Sequence, residues 1–422
     1  MRSRSPIFLY FILLAIGVIA ACAKFEAQPQ LSAVTGASFF PVKVISLPQN
    51  VEKLSAGRFH TCAYLSDNTG YCWGKNDVGQ LGNGAKKAAG KTRMDPSFGP
   101  VPISVIQNIT NIAAGDEFTC AIADPNDTVY CWGKNDSNQL GQGAPSQGES
   151  APKPVLTAAN TPLTNATGVT AGSGRACAIV AGVPWCWGNV PQQVQNPVTK
   201  LYNIQFSASL FAAKLVATIG GNWTGVDEIA MTQNDLCVLS SSAVACMGGD
   251  ATNTSVPSLS GLPPTTGILA VQISGGMQNQ ICFVGQQDTT VFACFSSGQQ
   301  RVPSSAATNG GAPDSSQPYS LSNGYSFLYG EPLLKISGKF IHTCGVGKNS
   351  QSITCWGNNQ AGQTGNGNNG SPVPYPSRSG VARLGAVQNV TTGGLHTCAL
   401  LTDATAWCWG DNTYGQLGRG TP

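Results

Sequence analysis

Charge is what this chain most lacks. Asp, Glu, Lys and Arg make up 10% of its 422 residues, against roughly a quarter in an ordinary soluble domain. A helical bundle or coiled coil is excluded on that ground, because such folds need charge-rich outer faces. Neither sign dominates, since the formal net charge is only +3. A nucleic-acid binder, whose affinity rests on neutralising phosphates, is therefore not expected. Histidine is nearly absent, with His60, His342 and His396 the full set. Zinc-type spacings, with cysteines two to four apart or joined to His pairs, do not occur, and no metal or cofactor is implied. What is plentiful is Gly (51) and Pro (26), which suits a turn-rich all-β protein. With 41% hydrophobic residues the chain can bury a core and is not disordered. Its length asks for several domains or one large repetitive fold.

The first 21 residues stand apart. Arg2 and Arg4 precede an apolar run from Ile7 to Ala21, shorter than the about 20 residues of a spanning helix and typical of a secretory signal. Ile19-Ala20-Ala21-Cys22 resembles the lipobox of bacterial lipoproteins, in which cleavage leaves an acylated cysteine as the first mature residue. The alternative is an ordinary signal peptide that happens to end near a cysteine. Several acyl chains on Cys22 would give stable anchoring, because each buried methylene contributes about 0.8 kcal/mol. Ala23, rather than Asp, follows the cysteine, which by resemblance to enterobacterial sorting favours the outer membrane. The expected organisation is a signal peptide over 1–21, a flexible tether over 22–37 and a single repetitive domain over 38–422.

The remaining fourteen cysteines fall into close pairs: Cys62 with Cys72, Cys120 with Cys131, Cys177 with Cys186, Cys237 with Cys246, Cys282 with Cys294, Cys344 with Cys355, and Cys398 with Cys408. Successive first cysteines advance by 58, 57, 60, 45, 62 and 54 residues. A seven-fold repeat averaging 56 residues follows,. Within a copy, GRFHTCAYLSDNTGYCWGKNDVGQLG reads as a hairpin with a turn at Asp67 to Gly70,. Cysteines facing each other on its two strands would lie about 4.5 to 5.5 Å apart at Cα, within reach of a disulfide. Oxidation is the expected state in an exported protein, contributing about 2.7 kcal/mol per ten-residue loop as an upper guide. Buried free thiols acting as small hydrophobes are the alternative.

The copies HTCAYL...GYCWGKNDVGQLGNG and HTCALL...WCWGDNTYGQLGRG resemble the regulator of chromosome condensation repeat. The second and sixth copies match well. Copies three to five depart from it after Trp187-Gly188, at Cys246-Met247-Gly248-Gly249 and at Cys294-Phe295-Ser296-Ser297. The resemblance implies a seven-bladed β-propeller. The chain stops just after its last GQLG loop, while Pro41 to Leu47 looks like a spare strand. The N-terminal strand is therefore expected to close the last blade, removing exposed edges.

The repeated residues have structural readings. The three His each precede Thr-Cys in different copies, where Phe118, Arg175, Asp235 or Gln280 stand elsewhere. The Trp of each CWG reads as blade core. Loops that break the repeat are the better candidates for binding. One is Asn83 to Phe98, with Lys86, Lys87, Lys91 and Arg93. Another is Arg301 to Tyr329, whose Tyr319 and Tyr325 are potential interface anchors. The resemblance implies protein binding. The leading expectation is a lipid-anchored, non-catalytic scaffold of the bacterial envelope, gripping an envelope or extracellular protein or a surface polymer through its loops. Two alternatives remain open. A polysaccharide-active enzyme would need two carboxylates about 5 to 10 Å apart in a central cleft, and a structural surface protein would self-associate.

Overall fold

A computed structural model describes residues 36–85, 95–195, 202–214, 223–232, 235–240, 243–248, 270–276, 280–285, 292–296, 333–373, 381 and 384–422. Cys22, Lys86, Lys87, Lys91, Arg93, Tyr319 and Tyr325 lie outside these residues, as do the side chains of Cys246, Cys282 and Cys294. Every named element is a strand. The chain enters through β1 (Ser38–Lys43). Blade one then holds β2 (Val51–Ala56), β3 (His60–Leu65), β4 (Gly70–Gly74) and β5 (Ser97–Pro102). Blade two holds β6 (Asn111–Ala114), β7 (Phe118–Ala123), β8 (Thr128–Asn135) and β9 (Ser146–Pro154). Blade three holds β10 (Ala166–Ala171), β11 (Arg175–Val180), β12 (Val183–Gln195) and β13 (Tyr202–Lys214).

Blades four, five and six show three strands each. They are β14 (Val226–Met231), β15 (Asp235–Ser240) and β16 (Ala243–Gly248); β17 (Ala270–Gly276), β18 (Gln280–Gly285) and β19 (Phe292–Ser296); and β20 (Leu333–Ser337), β21 (His342–Gly347) and β22 (Ile353–Gly357). Blade seven is built from β23 (Val387–Thr392), β24 (His396–Leu401) and β25 (Ala406–Gly410), with β1 as its fourth strand. Val42 stands opposite Cys408 and Lys43 opposite Trp407. This strand starts at Ser38, earlier than the Pro41 expected from sequence. Its continuation is held by Val44 N–H donating to Ala406 O at 2.9 Å.

Each blade is antiparallel, and each packs face to face on the next in chain order. β2 also packs on β23 and β24. The second strand of a blade is thus covered on both faces, so β7, β21 and β24 are buried at every position and show no polar alternation. The core lies between blades. Leu65 and Trp73 of blade one pack with Leu400 and Cys408 of blade seven, and Leu81 of blade one packs with Ile112 and Trp132 of blade two. Outer strands such as β5 are half-buried, which is where Pro100 and Pro102 are tolerated. The hairpin turns are set locally. Thr69 N–H and Oγ1–H both donate to Asp67 Oδ1, and Asn68 takes φ +60°,.

The cysteines of β3 and β4 face each other, and the register repeats in every blade. Disulfides join Cys62–Cys72, Cys120–Cys131, Cys177–Cys186, Cys344–Cys355 and Cys398–Cys408, and Cys237 is also disulfide-bonded. Their Cα separations of 4.0 to 4.1 Å are tighter than the expected range. They fall below even the about 4.5 Å of non-hydrogen-bonded pairs, where facing strands come closest. The departure after Trp187-Gly188 is an extension: β12 runs on to Gln195 and pairs with β13 through Tyr202, replacing the loop that other blades form there.

Candidate functional site

The loop after each CWG is built by its own side chains. In blade one, Leu81 N–H donates to Asn76 Oδ1 and Val78 N–H to Gln80 Oε1, both at 3.1 Å. Asn135 and Gln139, Asn359 and Gln363, and Asn412 and Gln416 repeat the arrangement. With its side chain so engaged, each Gln presents its backbone carbonyl to the next blade. Trp132 Nε1 donates to Gln80 O at 3.0 Å, Trp187 to Gln139 O, Trp409 to Gln363 O and Trp73 to Gln416 O, each at 2.9 Å. Gly82, at φ +66°, leaves room for the indole, because a Cβ there would lie 2.5 Å from Trp132 Nε1,.

The three histidines complete these seams. Thr61, Thr119 and Thr397 donate their hydroxyl protons to Gln416 O, Gln80 O and Gln363 O. Each hydroxyl oxygen is then free to accept from the preceding blade's imidazole: His396 Nε2 to Thr61 at 2.9 Å, His60 to Thr119 at 2.9 Å, and His342 to Thr397 at 2.6 Å. That fixes the neutral Nε2–H tautomer. A second proton on Nδ1 would find no acceptor among the described residues. Burial pushes all three rings down to about 3. These residues are interblade locks rather than catalytic groups. Sequence reasoning assigned Trp to the core of its own blade and missed that it reads its neighbour.

One face carries a strip of charge and aromatic surface. It lies where β2 ends, β4 ends and β5 begins. Phe59 and Tyr414 meet edge to face at 5.6 Å, with Lys75 Nζ over both rings and Arg58 over Phe59. Lys75 pairs with Glu117 at 2.6 Å and Asp77 at 3.3 Å, and Lys134 with Glu117 and Asp136 at 3.2 Å each. Burial opposes charge on Glu117, but hydrogen bonding and attraction from Lys75 and then Lys134 outweigh it and hold its carboxyl low. Asp116 behaves oppositely. Burial raises it, against a hydrogen bond from Ser173 Oγ at 2.8 Å and the charges of Arg58 and Lys339. Lys86, Lys87, Lys91 and Arg93 belong to the segment between Ala85 and Asp95, which lies outside the described residues.

The first strands of the blades line a central channel enclosing about 240 Å³. Lys53, Ser55, Thr170, Ser337, Lys339, Asn389 and Thr391 bring polar atoms to its wall. Lys53 Nζ donates to Asn111 Oδ1 at 2.5 Å. Lys339 reaches across from blade six to donate to Ala114 O and, at 3.4 Å, Ala56 O. Burial brings both ammonium groups down to about 8.

Comparison with known proteins follows the same repeat. Two models of the "Regulator of chromosome condensation (RCC1) repeat" match, one over residues 67–122 and 126–179, the other over 51–80, 109–139 and 387–416. The ultraviolet-B receptor UVR8 of Arabidopsis thaliana is 26% identical over 390 residues, covering 90% of this chain and 81% of the receptor. The yeast RCC1 protein Prp20, solved bound to Kap60, gives a TM-score of 0.60 at 16% identity, over 86% of this chain and 82% of that one. Human WBSCR16 gives 0.60 at 14% identity, over 86% and 87%. At such identities the structural likeness speaks for the fold alone.

Proposed function

Because this chain belongs to the regulator of chromosome condensation (RCC1) repeat family, we propose that it is a lipid-anchored, non-catalytic binding scaffold of the bacterial envelope. Acylated Cys22 would hold it at the outer membrane, and the tether over 22–37 would give it reach. Its partner is an envelope or extracellular protein, taken on the face that carries Phe59, Tyr414, Lys75 and Glu117.

The observation that carries this reading is the division of labour between polar groups. The repeated His, Thr, Trp and Gln are consumed in seams between blades, whereas Phe59, Tyr414 and Glu117, which the other blades do not repeat, gather half-buried around the Lys–Asp pairs of blades one and two. Aromatic and basic side chains on a rigid frame are the usual anchors of protein interfaces. The basic stretch with Lys86, Lys87, Lys91 and Arg93 follows Ala85 in the sequence and would extend this surface, and Tyr319 and Tyr325 would add anchors from the long insertion before blade six. Yeast Prp20, which shares the fold, was solved bound to Kap60 and described with binding to Gsp1p and histones. A polysaccharide-active enzyme is less well supported, because Glu117 is held by two lysines and Asp116 by Ser173.

The test is site-specific photo-crosslinking from Phe59 in native membranes. A discrete protein adduct, lost on Lys75→Glu with Lys134→Glu, is the expected result. Adducts to further copies of the chain alone would make it a self-associating surface protein, and no adduct at all would move the interface off this face. Cys22→Ala should release the protein from membranes.

A further inference from the structure

The channel wall varies where the fold does not require it to. Opposite the second residue after each blade's first cysteine, the first strand carries Lys53, Asn111, Gly168, Glu228, Gln272, Lys335 and Asn389 in blades one to seven, and of these Lys53 and Asn389 border the cavity. The repeat does not dictate these residues, unlike the cysteines and tryptophans beside them.

Lys53 and Lys339 both border the cavity. Their ammonium groups donate to neutral oxygens: the Asn111 amide for Lys53, and the Ala114 and Ala56 carbonyls for Lys339. Each feels the other's charge or that of Lys335 as repulsion. Glu228 acts on Lys53, and Asp116 on Lys339, in the opposite sense. Among the residues that border the cavity, Lys53 and Lys339 are the charged ones, and no carboxylate stands with them. β6, β10, β17 and β23 contribute no ionisable residue. Buried charge is costly unless paired, and a guest of negative charge lying between the two ammonium groups would supply the missing pair. Asn389 uses its Oδ1 to accept from Val390 N–H at 2.8 Å, which leaves its amide hydrogens as further donors.

We propose that the central channel is a binding site for one small anion carrying a carboxylate or phosphate group, held between the ammonium groups of Lys53 and Lys339. Size sets the class. A space of about 240 Å³ falls below the roughly 300–1,000 Å³ of the usual drug-sized pocket. A small mono- or dicarboxylate, or a phosphate, fits, and a polymer or peptide does not. Ile112, Val169, Ile229 and Ile336 on the same wall would cover a short carbon skeleton. The inference stands on the channel alone and does not depend on the tether or on the loop-face partner.

Calorimetric titration of the detergent-solubilised full chain with inorganic phosphate, and separately with succinate, tests it. One site per chain for at least one of the two probes is expected, and which probe binds tells phosphate from carboxylate. Lys53→Met and Lys339→Met should each weaken binding at least ten-fold, Lys53→Arg should retain it, and Lys153→Met, on the outer strand β9, should leave it unchanged. The same probe should raise the melting temperature of the parent protein and not of Lys53→Met, a readout that survives if Lys339→Met fails to fold. Absence of binding by both probes at millimolar concentration, or binding indifferent to both methionine variants, would overturn the proposal.

Discussion

Two sectors of the propeller solve the same packing problem differently. From blade six through seven and one to two, every seam carries a histidine, a threonine, a tryptophan and a glutamine carbonyl in one hydrogen-bonded set. From blade two to three the set is reduced. Phe118 takes the histidine's place, Ala176 the threonine's, and Trp187 alone donates to Gln139 O. From three to four it is gone. Arg175 reaches instead to Thr232 O and Asn189 O, blade three has a long β12–β13 ribbon in place of the loop, and Met247 stands where blade four would carry tryptophan. At the seams described, from blade six through seven and one to four, histidine and threonine appear and vanish together. A histidine has no use without the threonine of the following blade, nor a tryptophan without the loop of the preceding one, so the repeat motif is a two-sided lock rather than a property of one blade.

The sharpest way to break that contrast uses two glycines with similar backbone angles. Gly82 (φ +66°) lies against Trp132 in a locked seam, whereas Gly225 (φ +63°) lies beside blade four with only Ser240 Oγ within 4 Å, at 3.6 Å. Both changes to alanine incur the left-handed penalty of about 1–2 kcal/mol. Gly82→Ala should cost about 1–3 kcal/mol more from overpacking. Denaturant unfolding of the two variants measures the difference, and equal losses would mean that the indole contact is not tight.

A smaller effect comes from exchanging locks. His60→Phe with Thr119→Ala copies the natural Phe118–Ala176 seam and should destabilise less than the sum of the single changes. A coupling of about 1 kcal/mol in a double-mutant cycle is expected. The converse, Phe118→His with Ala176→Thr, should build a fourth lock and hold or raise the midpoint.

Specific to the locked sector is a pH effect. The buried rings stay neutral down to about 3, while in the unfolded chain they take up protons near 6.5. The unfolded state therefore binds more protons between those values, and stability falls as pH drops from 6.5 toward 3. His60→Phe should make the fall shallower in urea midpoints taken from pH 7 to 4, and an unchanged slope would place the acid sensitivity elsewhere.

Much of the frame was legible in the sequence because it repeats. The seven cysteine pairs gave the blade count and the register that sets Cys62 opposite Cys72. The spare segment near Pro41 pointed to β1 on the last blade, though its first residues, Ser38 to Phe40, carry no strand signal of their own. The locks were harder to see because each joins residues about 55 to 60 or more than 300 apart, and reading one copy at a time hides a pairing that spans two. Their signal was present in the joint replacement of His60 and Thr119 by Phe118 and Ala176. Channel residues such as Lys53 and Lys339 were not legible. Each occurs once, and only the blade geometry brings strands from opposite sides of the molecule to one cavity. The predicted binding residues Lys86, Lys87, Lys91, Arg93, Tyr319 and Tyr325 interrupt the repeat, and so its pattern says nothing of where they point.

In the proposed state the propeller is oxidised and would be tethered to the envelope through an acylated Cys22. Intact mass of the protein taken from its native membranes, with thiols alkylated before and after reduction, tests this most directly. The account predicts loss of residues 1–21, an acylated Cys22, no alkylation before reduction and fourteen alkylated thiols after it. A chain that retains its first residues, carries no acyl group and alkylates freely without reduction would contradict both the anchor and the staples.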